Sequence, residues 1–87
     1  MEVKMGKVVI TRGASQLSQE EIMAALKRHS IGDWGTVCEE DKETNNNAVE
    51  NNDGMILSAY ATESGTPFWI ITDSGGETTT ILLPEEY

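Results

Sequence analysis

The stretch Met55–Leu83 reads MILSAYATESGTPFWIITDSGGETTTILL and holds three β-prone runs in succession. Met55 to Thr62, Pro67 to Thr72 and Thr78 to Leu83 are rich in aliphatic, aromatic and threonine side chains, which suit the pleated, half-buried surface of a strand. Glu63-Ser64-Gly65-Thr66 and Asp73-Ser74-Gly75-Gly76 carry the glycine that tight hairpin connections need. Pro84 stops the third run because it cannot donate to a ladder. The segment therefore predicts a three-stranded meander. In its middle strand Phe68 and Ile70 point to one face, and Trp69 and Ile71 to the other. Both faces are apolar there, so both need cover, from a loop, a partner or a second copy.

Working back towards the N-terminus, Asn52-Asp53-Gly54 is a turn in which Gly54 suits a left-handed conformation. Before it, a second helix is expected from about Cys38 to Asn51. Glu39, Glu40, Asp41 and Glu43 favour its first turns through the helix dipole, whereas Asn45, Asn46 and Asn47 prefer turns and predict a helix that frays. Asp33 or Thr36 is the expected cap, and Trp34, between an acid and Gly35, is expected to pack over the core edge. A first helix begins at Ser18, three residues before Glu21, the spacing of a capping box. Ile22, Met23 and Leu26 form its apolar stripe. Lys27, Arg28 and His29 close it, where cations suit the negative end of the dipole. Gly6 to Thr11, with Val8, Val9 and Ile10, reads as another strand. The expected fold is α+β: one domain over residues 1–87, ordered β-α-α-β-β-β, with about four mostly antiparallel strands packed by two helices on one face.

Composition narrows the function classes. At 87 residues the chain is too short for a doubly wound nucleotide fold or a barrel enzyme. Its apolar content of 38% is enough for one small core, which argues against wholesale disorder. The formal charge of −9 argues against gripping nucleic acid phosphates directly. That charge is unevenly placed: residues 1–29 carry a net +2 and residues 30–87 a net −11, with Lys42 the lone base of the second part. A single cysteine, Cys38, excludes an internal disulfide and fits a reducing cytoplasm. The longest apolar runs are too short to span a bilayer.

Few residues could carry chemistry. His29 and Cys38 are the one imidazole–thiol pair, but they need not meet, and the expected roles are a helix end for His29 and a small core residue for Cys38. Asp41, Glu43 and Asn45 alternate somewhat like a calcium loop, yet Asn46 stands where such a loop needs glycine. Gly75-Gly76 has no following helix or lysine to make a phosphate cradle. The expectation is therefore a non-enzymatic protein without metal or cofactor. Its candidate contact residues are Asp33, Trp34, Glu39, Glu40, Asp41, Glu43 and Glu50, which would present negative charge to a basic groove. Plain solubility is the competing reading of those acids.

Gly32-Asp33-Trp34-Gly35 following His29, Glu39-Glu40-Asp41-Lys42, Ile56-Leu57-Ser58-Ala59-Tyr60, Trp69-Ile70-Ile71-Thr72 and the ending Thr79-Thr80-Ile81-Leu82-Leu83-Pro84-Glu85-Glu86-Tyr87 together resemble a group of small bacterial proteins labelled plasmid-related and found near mobile elements. The resemblance covers about residues 29–87 and brings no catalytic residue with it. It implies a plasmid, phage or island setting in a bacterial cytoplasm. Small acidic proteins in that setting are often inhibitors of host defence, of the anti-restriction or anti-CRISPR kind, which suggests a nucleic-acid-binding defence protein as partner. The alternative is a homodimeric interaction module of a mobile element, paired through the uncovered sheet face, with no inhibitory role.

Overall fold

The computed structural model describes residues 1–87. Strand β1 (Lys7–Ile10) is followed by a 3-10 turn at Ala14–Gln16, helix α1 (Gln19–Ser30), helix α2 (Glu39–Asn51) and strands β2 (Ile56–Ala61), β3 (Pro67–Thr72) and β4 (Thr78–Leu82). A last 3-10 turn covers Pro84–Glu86. The sheet order is β1-β4-β3-β2, with β2–β3 and β3–β4 antiparallel and β1–β4 parallel. This is the expected α+β order, in a sheet that one parallel pair makes mixed.

Register fixes which side chains share a face. Tyr60 lies opposite Phe68, Ser58 opposite Ile70, and Ile56 opposite Thr72, while Ile70 lies opposite Ile81 and Thr72 opposite Thr79. This is the face the helices cover. Beneath α1, Ile22, Ala25, Tyr60, Phe68, Ile70 and Ile81 form the main cluster. Phe68 and Ile70 are at most 1% exposed, and each such side chain contributes about 1.5–3 kcal/mol of burial. Beneath α2, Val3, Trp34, Ala48 and Ile56 form a second, smaller cluster. Met23, expected in the α1 stripe, is 58% exposed; the residues that turn inward are Ile22, Ala25 and His29.

The other face, carrying Trp69 and Ile71, is partly closed by the chain's own C-terminal segment. Tyr87 meets Trp69 edge-on with ring centroids 5.7 Å apart, and Ile71 and Leu82 are each 5% exposed. Glu86 pins the segment by accepting from the Thr11 hydroxyl, the Gly13 N–H and the Leu83 N–H. The first of these bonds does most to hold the Glu86 carboxyl below its usual pKa.

Two local expectations need correction. The Ser18–Glu21 capping box is half made: Ser18 Oγ accepts from the Glu21 N–H, but the Glu21 carboxylate turns to the Glu63 N–H at 2.7 Å. It thereby ties α1 to the β2–β3 hairpin instead of its own first turn. Neither Asp33 nor Thr36 caps α2. The cap position is Cys38, with no side-chain bond, because Asp33 is held by Arg28 and the Gly35 N–H, and the Thr36 hydroxyl by the Ala59 carbonyl.

Candidate functional site

Helix α2 is oriented by its asparagines. Asn45 is 3% exposed and acts as a side-chain strand against the outer edge of β2: its Nδ2 donates to the Leu57 carbonyl at 2.8 Å, and its Oδ1 accepts from the Leu57 N–H at 3.1 Å. Asn46 accepts from the Trp34 indole N–H at 2.9 Å. Two residues expected to weaken the helix thus hold it in place. The connector before α2 occupies the same edge, since Gly35 pairs with Ala59, the Thr36 N–H donates to the Ala59 carbonyl and the Ala59 N–H to the Trp34 carbonyl. Gly35 sits at φ 75°, and a Cβ there would meet the Ala59 oxygen at 1.9 Å, so only glycine fits.

With Asn45 and Ala48 turned inward, a 100° step per residue places Glu39, Glu43 and Glu50 within about 40° of one another on the outward side. Glu40 stands on the flank. The ridge spans about 16 Å of helix at about 1.5 Å per residue. Along the axis Glu39 and Glu43 stand about 6 Å apart and Glu50 about 10 Å further on, a wider spacing than the one phosphate per about 3.4 Å of a nucleic acid strand. The Glu39 side chain is 91% exposed, with Lys42 Nζ 3.3 Å away as the local cation. Asp41 is exposed but belongs to another face, beside Met55 and Leu57. Asp33 is also exposed, but its carboxylate is engaged by Arg28 Nε at 2.7 Å, which holds its pKa below the usual range. Trp34 leaves the set of contact residues, because it is 3% exposed and its indole is spent on Asn46.

His29 and Cys38 do not form a pair. Cys38 is exposed, contrary to its expected place in the core. His29 stands in the last turn of α1 as expected, but fully buried and not as a cation capping the helix end. Its Nδ1 lies 2.5 Å from Ser58 Oγ and its Nε2 2.8 Å from Thr72 Oγ1. Thr72 Oγ1 lies 2.8 Å from Thr79 Oγ1, which donates to the Met5 carbonyl. Each hydroxyl has one proton, so the donors order themselves. Thr79 spends its proton on Met5, Thr72 donates to Thr79, His29 Nε2–H donates to Thr72, and Ser58 donates to the bare Nδ1. This order holds with a neutral imidazole, the form that burial favours by lowering the His29 pKa to about 4. Trp34 seals it edge-on at 5.7 Å. Nearby, Tyr60 Oη donates to the Asp33 carbonyl at 2.7 Å, and burial pushes the phenol up to about 12.

Fold and surface together describe a small two-layer α+β protein with a polar seam in its core and an acidic outer helix. No family model matches the chain, and neither a curated protein nor a solved structure matches it. No helix is long and apolar enough to cross a membrane.

Proposed function

We propose that the protein is a non-enzymatic inhibitor that lays the α2 ridge into a basic, nucleic-acid-binding surface of a bacterial defence protein. The setting rests on the resemblance to plasmid-related proteins of mobile elements, and the mode of action on the ridge. The observation that carries it is the position of Glu43 and Glu50. Glu39, Glu40 and Asp41 occupy the first turn of α2, where acids stabilise a helix by themselves. Glu43 lies beyond that turn, and Glu50 lies in the last turn, which has no basic residue and where a negative charge opposes the dipole. Helix stability therefore does not account for them, whereas an outward face that carries acids near both ends of α2 does. Charge arranged this way steers encounter with a positive groove and weakens with salt.

The test compares two variants with the same change in net charge. One neutralises the ridge (Glu39→Gln, Glu40→Gln, Glu43→Gln, Glu50→Gln). The other neutralises four exposed acids elsewhere (Glu63→Gln, Asp73→Asn, Glu77→Gln, Glu85→Gln). Cells carrying a restriction or CRISPR system are challenged with phage while expressing each form. The expected result is that the wild type and the second variant raise plating efficiency and the ridge variant does not. Equal protection by both variants, or none from the wild type against any such system, refutes the reading.

A further inference from the structure

The edge of the sheet farthest from α2 is open. β1 is the terminal strand, and its Lys7 and Thr11 N–H groups donate to the Glu77 and Ile81 carbonyls of the β4 side. Odd-numbered residues therefore turn their backbone towards β4, and the N–H and C=O of Val8 and Ile10 point outward. Edge strands in soluble proteins normally carry a central charge, a proline or a bulge that blocks pairing. β1 is only four residues long and opens with Lys7, but no charge, proline or bulge falls within Val8-Val9-Ile10, and Val8 and Ile10 are 44% and 43% exposed. They border an apolar groove of about 330 Å³ shared with Leu17, Met23 and Leu26.

We infer that β1 pairs with β1 of a second copy, antiparallel about a two-fold axis at Val9, to give a continuous eight-stranded sheet. This register uses every outward group, because Val8 and the partner's Ile10 exchange two hydrogen bonds, and symmetry repeats them. Their side chains meet over the groove, with the exposed Met23 of each copy beside them. The charges also match. Lys7 falls opposite the partner's Thr11, whose hydroxyl is bonded to Glu86, so each Lys7 ammonium gains the partner's Glu86 carboxylate on the same face. No like charges stand directly opposite. The inference is independent of the proposed inhibition. β1 and α2 lie at opposite edges of the sheet, and pairing through β1 leaves both acidic ridges free at the outer ends.

Sedimentation equilibrium of the full chain from about 1 μM to about 1 mM tests it, since a short strand pair forms a small interface of modest affinity. A concentration-dependent dimer is expected. Val8→Pro removes an outward N–H and leaves the β1–β4 bonds intact, while Ile10→Lys puts a cation into each cross-strand pair. Each should raise the dissociation constant at least about tenfold. Lys7→Glu should do the same at low salt and less at high salt. Ile31→Lys, at an exposed position outside the groove, should leave the dimer unchanged. Circular dichroism confirms that each variant is folded. A wild-type monomer at about 1 mM, or a dimer indifferent to both Val8→Pro and Ile10→Lys, overturns the inference.

Discussion

Acid should weaken this fold through His29 before it does so through any carboxylate. The imidazole is fully buried, and both its nitrogens face neutral hydroxyl groups, Ser58 Oγ and Thr72 Oγ1, rather than a carboxylate. Its pKa falls from 6.5 to about 4 on folding, through burial. In the pH window between those values the unfolded chain binds a proton that the native chain does not, so stability rises with pH. The contribution of the neutral ring is fully present above the unfolded value and is lost as pH falls towards the folded one. Acidifying from about pH 7 to about pH 5 removes about 2 kcal/mol by this route. A chain of 87 residues has a total stability of about 4–13 kcal/mol, so the loss is a large fraction of it.

Urea unfolding followed by tryptophan fluorescence reads the effect. His29→Gln, which does not titrate, supplies the reference: the carboxylates act alike in both proteins and cancel in the difference. The wild-type advantage over the variant should shrink by about 2 kcal/mol between about pH 7 and about pH 5. The imidazole proton resonances of the native wild type give a second readout that does not depend on the variant folding, with a midpoint near 4. Parallel stability curves, or a native midpoint at 6 or above, refute the neutral buried ring.

Two further predictions address how α2 is mounted. Asn45→Ala strands the Leu57 N–H and C=O without their side-chain partner, and should lower stability by about 2–4 kcal/mol in urea melts. Gly35→Ala drives a methyl group into the Ala59 carbonyl at a positive φ, and should cost more than about 3 kcal/mol or abolish the native fluorescence of Trp34.

The meander was legible because its signals were redundant. β-Prone composition, glycine at both turns and Pro84 all pointed the same way, and β3 begins and ends at the residues the sequence indicates. The polar interior was harder to see, because local chemistry and helical phase gave opposite answers. His29 follows Lys27 and Arg28 and so resembles a dipole cap, yet it also stands seven residues after Ile22 and four after Ala25, on the inward stripe. Asn45 sits in a run of turn formers, yet precedes Ala48 by three residues on the buried side of α2. In both cases the phase, not the residue type, was right. The cover over Trp69 was not legible in the same way, because it depends on Tyr87 folding back and on the long-range bonds from Glu86 to Thr11 and Gly13. Nor was the exposure of Cys38, which depends on where the connector joins the edge of β2.

The same asparagine bears on the surface. A helix with few apolar contacts can rotate on its support, and a slip of one residue would swing the acids by about 100°. The smaller cluster gives α2 chiefly Ala48 as a buried anchor, with Val49 packed against it. That apolar contact is too small to set one rotation by itself. Asn45 does set it, because its amide matches the Leu57 N–H and C=O in one orientation only, and the Asn46–Trp34 bond fixes the adjoining side. Buried polar groups used in this way specify one arrangement among several of similar burial. Glu39, Glu43 and Glu50 therefore face outward together as a consequence of two side-chain amides below them. Loosening those amides should scatter the ridge without removing a single charge from it.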